Sequence, residues 1–555
     1  MTRADPRWRL RLYSLIPVLA VIGITSRLYW NLSKGADLTL SDEADYLAAG
    51  IRFLRQGLPP NFLYSPLYAI WYAAHLALFG DPITAYYAQV FVVVMLTAIL
   101  LYCYLRLLDV PRSLSVLGAV LWIAQPAYIT VYWWTGTPRP YHFALLIFLA
   151  GAVALRKLKA ESGLPLALGG IGFFLLAILV RGEYFASLLV FLLCLAGPAI
   201  RSRSQFALDQ PRSCLWSASL LVGAAALGAW LYLNAGPVGH SARYGQAGRL
   251  WIAFGQHFSV YQLDRKGNAG LSPWVDWEVI MNQVFSGAHS LVAAAVTNPK
   301  AFAQFELHNL AAVPKTILRA LTGYPYALMK ALVVCLIFLW MTFFTSTGAS
   351  LRANALLRCA TALGPYAVSG AAAVFLSLLI GPYNTYLLPL TLVLFIAALK
   401  WLGMVMNAEP LRHKSLIGLS AAALSLILLV IPSPSDTGKN GERPAYAETN
   451  EIRRIFAAKG TRGLNFLDDS NYSAFLPYGT ARPVDFDDRR ANEPFWDFLT
   501  RANITAVLVD DSLRSSSLYR ADPEFALFLR SPSQFGWTAE PVGLKGDVLY
   551  LEGSR

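Results

Sequence analysis

The sequence predicts an α-helical polytopic membrane protein of about eleven spans, with interfacial helices in its first outer loop and a small α/β domain at its C-terminus. Three observations predict it. Of 555 residues, 56% are hydrophobic and only 14% charged, against roughly 25% charged in a soluble domain. Apolar runs of spanning length recur from residue 12 to residue 432, and basic residues crowd onto alternate connections between them. From Pro432 the chain changes to a Pro/Ser/Gly/Lys linker, PSPSDTGKNGERP, followed by short strand-like and helical stretches.

The first run, 12–30, follows Arg3, Arg7, Arg9 and Arg11. It ends without a small-x-small cleavage site, so it is expected to stay as the first span rather than be removed as a signal peptide. Further spans are expected at 84–105, 113–134, 141–155, 164–180, 184–200, 214–234, 324–344, 359–380, 383–402 and 415–432. With the N-terminus in the cytoplasm, the inner segments hold Arg106, Arg112, Arg156, Lys157, Lys159, Arg201, Arg203, Arg212, Arg352, Arg358, Lys400, Arg412 and Lys414. The short outer turns then hold only Arg139 and Arg181. That bias fixes the orientation. It puts the first outer loop (31–83), the large outer loop (235–323) and the tail on the outer face. It also accounts for the formal net charge of +13 without any nucleic-acid partner.

Residues 65–80 (SPLYAIWYAAHLALFG) test the parity. About 14 residues separate Pro66 from the Gly80-Asp81-Pro82 break, short of the ~20 needed to cross. Counting them as a span would put the basic residues outside, so an interfacial or re-entrant helix is expected. In the large outer loop, helices are expected around 277–296 and 299–321. In the tail, Leu464–Leu467, 504–509 and a last stretch near 547–551 read as strands, with a helix at 448–458. The expected domains are therefore 1–432, membrane-embedded, and 433–555, extracytoplasmic.

Composition also excludes. The five cysteines lie in or beside apolar runs with no CxxC pair, which excludes a disulfide framework and a cysteine metal site. There is no P-loop and no GxGxxG after a strand, which argues against a nucleotide-sugar donor. The 15 Trp and 27 Tyr read as interface belts.

The stretch Ser41-Asp42-Glu43-Ala44-Asp45-Tyr46 follows the first span. From Asp42 the chain reads as an amphipathic helix to about Gly57, with Leu47, Ile51, Leu54 and Leu58 on one stripe. Carboxylates in a first helical turn serve as caps and complement the helix dipole, and Asp45 is assigned that role. The same position suits a general base, because the positive helix end favours the ionised form. The aromatic segment from Tyr64 through Tyr68 follows at once. Together they suit a substrate with a lipid tail and a polar head.

Further motifs are Tyr64-Ser65-Pro66-Leu67-Tyr68 leading to Leu78-Phe79-Gly80, Val180-Arg181-Gly182-Glu183, Ala253-Phe254-Gly255-Gln256-His257, Pro273-Trp274-Val275-Asp276-Trp277, Asn298-Pro299-Lys300-Ala301-Phe302 and a tail ending in Phe535-Gly536-Trp537. With the acid pair, they resemble the GT-C glycosyltransferases. The similarity is to the bacterial branch related to protein O-mannosyltransferases and the lipid A aminoarabinose transferase, and it covers most of the chain. The resemblance implies an inverting transfer of a hexosyl or pentosyl unit from a polyprenyl-phosphate donor to a lipid, glycan or protein acceptor, on the periplasmic side of a bacterial inner membrane. It puts the base on Asp42, with Glu43 as partner. Arg181, Glu183, Tyr64, Tyr68, His257 and Tyr386 are expected to bind substrate.

Two departures stand out. Related enzymes often carry Arg-Tyr-x-x-Pro at the tenth span, whereas this chain has Thr385-Tyr386-Leu387-Leu388-Pro389. The turn between spans three and four often carries an acid, whereas this chain has Thr137-Pro138-Arg139-Pro140-Tyr141-His142, which makes Arg139 a candidate for the lipid phosphate. No metal site is expected, since the seven histidines show no ligand spacing. A divalent cation on Asp42 or Glu43 is left open. The competing classes are a glycan polymerase or ligase using lipid-diphosphate glycans, which usually lacks the acid pair, and a transporter, for which inverted repeats would be expected.

Overall fold

The computed structural model describes residues 6–124 (less 30–31, 36, 41, 58–59 and 61–64), 140–158, 163–201, 211–234, 249–266, 273, 277–322, 361–381, 385–408, 444–460, 463–468, 471–477, 479–484, 493–510, 513–514, 522–542 and 546–551. They are mostly helical, with one small sheet near the C-terminus. The longer helices run α1 (Pro6–Tyr29), α2 (Asp42–Gln56), α3 (Pro66–Phe79), α4 (Pro82–Leu107), α5 (Arg112–Ile123), α6 (Pro140–Lys157), α7 (Gly163–Ile178), α8 (Tyr184–Arg201) and α9 (Pro211–Asn234). They continue with α10 (Arg249–Lys266), α11 (Trp277–Phe285), α12 (Leu291–Thr297), α13 (Pro299–Thr322), α14 (Leu388–Ala408), α15 (Pro444–Lys459), α16 (Phe495–Arg501) and α17 (Pro523–Arg530).

Among the described residues, α4, α6 and α9 are long and apolar enough to cross a membrane. Helices α5 and α7 and parts of α1, α8 and α14 are apolar but shorter. The spans expected at 324–344 and 415–432 lie outside the described residues, as does the second half of 113–134. The expected span 359–380 is not one straight helix. Residues 361–370 are helical, Ala371–Ala373 tighten to a 3-10 turn, and Val374–Leu378 resume the α-helix.

By its contacts the chain forms two compact units. The first comprises Met1–Trp30, Phe91–Trp230 and Ala247–Ser433. Here α1 packs on α5, where the Tyr29 hydroxyl donates to Ile123 O at 2.8 Å. Helices α6, α7 and α8 pack in sequence around an aromatic core of Phe148, Phe174, Phe191 and Tyr366. Buried hydroxyls find carbonyls, as in Tyr104 to Leu363 O at 3.1 Å, which avoids the cost of an unmet donor in an apolar interior.

The second unit comprises Asn31–Val90, Leu231–Gln246 and Pro434–Arg555, and so unites the first outer loop with the tail. Its sheet has the order β2-β1-β3-β5-β4, with β1 (Leu464–Leu467), β2 (Ala481–Val484), β3 (Ala506–Val509), β4 (Trp537–Val542) and β5 (Gly546–Leu551). Strands β2, β1 and β3 run parallel, and β5 and β4 return antiparallel. All four residues of β3 are buried, as an apolar central strand requires. Phe495, Phe498, Phe525, Phe528 and Trp537 close the core on one face.

Candidate functional site

The acid cluster begins α2. Asp42 opens the helix, and its side chain lies outside the described residues. Glu43 is 0% exposed. Its Oε1 accepts from the Tyr68 hydroxyl at 2.5 Å and from the Tyr72 hydroxyl at 2.6 Å, and Gln89 Nε2 donates to the Tyr72 oxygen at 3.1 Å. Burial, and then the charge of Glu43, raises both phenols well above the ordinary tyrosine value, which keeps them protonated as donors. The Tyr46 and Tyr68 rings meet edge to face at 5.4 Å, as do Tyr68 and Tyr72 at 5.2 Å. Tyr68 therefore spends its hydroxyl on Glu43 from a fully buried position. Asp45 is half-buried in the same turn.

The local sequence builds this arrangement. Helix α3 begins at Pro66 after Ser65 in the left-handed region (φ 48) and ends at Gly80 (φ 70), whose N–H bonds Leu76 O at 2.8 Å. Its 14 residues match the interfacial length expected. Helices α2 and α3 approach at Gly50, where a Cβ would meet Ala69 O at 2.8 Å and Ala73 N at 3.1 Å. Only glycine permits that approach, and it brings Tyr68 and Tyr72 up to Glu43.

The same unit ties this loop to the tail. Asp37 caps α15: its Oδ2 accepts from Ala445 N at 3.0 Å and its Oδ1 from Tyr446 N at 2.8 Å. Arg453 on α15 pairs with Asp81 at 2.8 Å and donates to Phe475 O at 3.0 Å. Burial alone would raise the Asp81 carboxyl, but the Thr84 hydrogen bonds and Arg453 outweigh it and hold it below its ordinary value. The Tyr86 ring meets Phe475 at 5.5 Å.

A second group of expected residues converges in the first unit. Arg181 is 9% exposed and grips Glu183 with two donors, Nε at 3.0 Å and Nη2 on the other oxygen. The guanidinium lies 3.9 Å from the centre of the Tyr141 ring. Tyr141 contacts Tyr386 at 5.0 Å, and Tyr386 contacts His257 at 6.3 Å. Burial lowers the His257 imidazole to about 4, so it is neutral at ordinary pH. The other side of α10 carries Phe254, Phe258 and Tyr261 into a core with Trp277, Phe285 and Phe305, which fixes the helix that bears His257.

Of the residues named from sequence, the fold joins Glu43 with Tyr68, and Arg181 with Glu183, Tyr386 and His257. Tyr64 and Arg139 lie outside the described residues. Sequence reading missed Tyr72, Gln89, Asp37, Gly50 and the joining role of Tyr141. Tyr72 was recoverable, being one helical turn past Tyr68 on the same face. Nothing in the spacing points to Gln89. Among the described residues, no three His, Cys, Asp or Glu converge as a metal-ligand set.

No protein-family model matches the chain, and no curated protein matches it in sequence. It is similar in structure to the apo oligosaccharyltransferase of Archaeoglobus fulgidus, at 12% identity and TM-score 0.45, over 98% of this chain and 75% of that one. It is also similar to the archaeal oligosaccharyltransferase AglB from Archaeoglobus fulgidus in complex with an inhibitory peptide and a dolichol-phosphate, at 12% identity and TM-score 0.44, over 97% and 74%. A third similar structure is ArnT from Cupriavidus metallidurans bound to undecaprenyl phosphate, at 11% identity and TM-score 0.38, over 98% of each chain. At TM-scores below 0.5 these likenesses decide neither the mechanism nor the substrate, and the GT-C resemblance rests on the sequence motifs.

Proposed function

We propose that this chain is an integral-membrane glycosyltransferase of GT-C type. It moves a hexosyl or pentosyl unit from a polyprenyl-phosphate donor to a hydroxyl of a lipid, glycan or protein acceptor, with inversion. The reading takes residues 1–432 as about eleven spans with their outer loops and 433–555 as an outer-face domain. It sits in a bacterial inner membrane, with the N-terminus cytoplasmic and the active site and C-terminus periplasmic.

The observation that carries the reading is the lock on Glu43. Two tyrosine hydroxyls converge on one oxygen of a fully buried carboxylate in the first turn of α2. Burying a carboxylate costs several kcal/mol unless it is well bonded, so a plain helix cap gains little from it. Here it fixes the turn that opens with Asp42, and preorganisation of that kind is what a base requires.

In the proposed step, the Asp42 carboxylate takes the acceptor proton as the acceptor oxygen bonds the anomeric carbon. The bond from that carbon to the phosphate oxygen breaks, and the lipid phosphate leaves with the electron pair. Glu43 acts as a positioning residue through Tyr68 and Tyr72. Arg181, held by Glu183 and backed by the Tyr141 ring, supplies a fixed positive charge for the phosphate; Arg139 and Tyr64 are assigned to substrate as well. His257 and Tyr386 complete the polar wall beside Tyr141 as neutral contacts.

Turnover by the purified protein against a panel of polyprenyl-phosphate sugars tests the function. Asp42→Asn should lower turnover by about 10²- to 10⁴-fold while the protein stays folded and binds donor. Undiminished turnover in that variant refutes the mechanism.

A further inference from the structure

The second unit holds a cleft that the proposed transfer leaves unused. Its volume is about 880 Å³, and it lies between α2 and the β1–β2 edge of the sheet. Arg52 and Arg55 reach it from α2, Arg482 from β2 and Arg501 from the end of α16. The residues that line it include no carboxylate. Glu493 holds Arg501 from beside the cleft, Oε1 on Nε at 2.6 Å and Oε2 on Nη2 at 2.8 Å. Arg52 and Arg482 are exposed, and among the described residues neither side chain makes a hydrogen bond or ion pair.

Glu493 neutralises Arg501, whereas Arg52 and Arg482, from two separate stretches of chain, bring like charge to one cleft, which an anion would relieve. A concave wall with one sign of charge focuses its field on such an anion. Guanidinium forks match the paired oxygens of a phosphate better than any other side chain does. Asn465 of β1 also lines the cleft, its Nδ2 donating to Ala502 O at 3.3 Å and Asn503 O at 2.8 Å. Arg52 sits ten residues after Asp42 on one helix, about 15 Å along its axis at 1.5 Å per residue.

We propose that this cleft binds a phosphoester. Two sources share that chemistry, a soluble phosphorylated glycan and the phosphodiester head of an anionic lipid. The site stands whether or not Asp42 is a base, because its test reads binding rather than turnover.

The test uses the full chain in neutral detergent at low ionic strength, titrated with glycerol 3-phosphate, and the same chain in nanodiscs of phosphatidylglycerol or phosphatidylcholine. Ligand at 100-fold excess over its dissociation constant should raise the unfolding midpoint by about 3 °C. Replacing both Arg52 and Arg482 with Gln should weaken binding at least about tenfold. Arg454→Gln, a change at an exposed arginine outside the cleft, should leave it unchanged. If the double variant unfolds early without ligand, Arg52→Lys and Arg482→Lys replace it. They keep the charge but lose the fork, and each should bind several-fold more weakly. A midpoint raised by glycerol 3-phosphate and lost in the variants supports the site with a soluble source. A response to phosphatidylglycerol alone, also lost in the variants, supports it with a lipid source. No response to either form, or a response that survives the substitutions, overturns it.

Discussion

Glu43 shows how far a single residue can be read. An acid inside an apolar chain announces itself, and the first-turn position named both Asp42 and Glu43. The sequence does not reveal that Glu43 is buried, because that depends on tyrosines more than twenty residues away. Removing either hydroxyl, by Tyr68→Phe or Tyr72→Phe, should cost about 1–3 kcal/mol of stability in denaturant unfolding. The two losses should be non-additive, since both act on one oxygen. Glu306 offers a test by pH. Its carboxyl, half-buried on α13, is raised by burial from 4.5 to about 7. The folded state therefore holds the proton more tightly than the unfolded chain does. Stability from this residue is full below about pH 4.5 and is lost as pH rises to about 7. In Glu306→Gln, an unfolding midpoint followed across that range should lose this decline. His257 works in the opposite sense. Burial lowers it from 6.5 to about 4, so its contribution is full above pH 6.5 and is lost as pH falls toward 4.

Among the elements, α3 was legible because proline and glycine punctuate it. Pro66 fits the first turn, Gly80 takes the left-handed cap, and the run between them is too short to span. The parallel strand β1 and the central strand β3 were legible from short apolar runs, and α15 from its periodicity. The crossing of α2 and α3 was not, since a glycine in an Ala-Ala-Gly stretch gives no sign of the neighbour it admits. Gly50→Ala should cost about 1–3 kcal/mol, because the new methyl meets backbone that cannot swing aside. The expected signature is a lower unfolding midpoint together with weakened turnover, since the displaced α3 carries both tyrosines away from Glu43. The cap on α15 was equally hidden. Asp37→Ala should cost about 1 kcal/mol by exposing two N-terminal amides, and hydrogen exchange at Ala445 and Tyr446 should quicken.

Over the whole molecule, hydropathy and charge bias gave the membrane character, while the partition into units escaped them. Composition separates the tail at its Pro-rich linker, yet contacts group the tail with residues 31–90. Hydropathy records what each segment buries and not which distant segment buries it. Asp81 and Arg453 test that grouping. A double-mutant cycle on the pair, Asp81→Asn with Arg453→Gln, should return a coupling of about 0.5–1 kcal/mol, modest because both groups are partly exposed.

The Asp37 cap sets a timetable for synthesis. Its partner amides lie 408 and 409 residues further along the chain. At 5–20 residues per second, roughly 20–80 s pass between the emergence of the two. Throughout that interval the loop bearing Asp42 is without the helix that Asp37 caps. A chain cut short before residue 444 would never receive it, and limited proteolysis should cut the loop faster in that chain than in the full-length one.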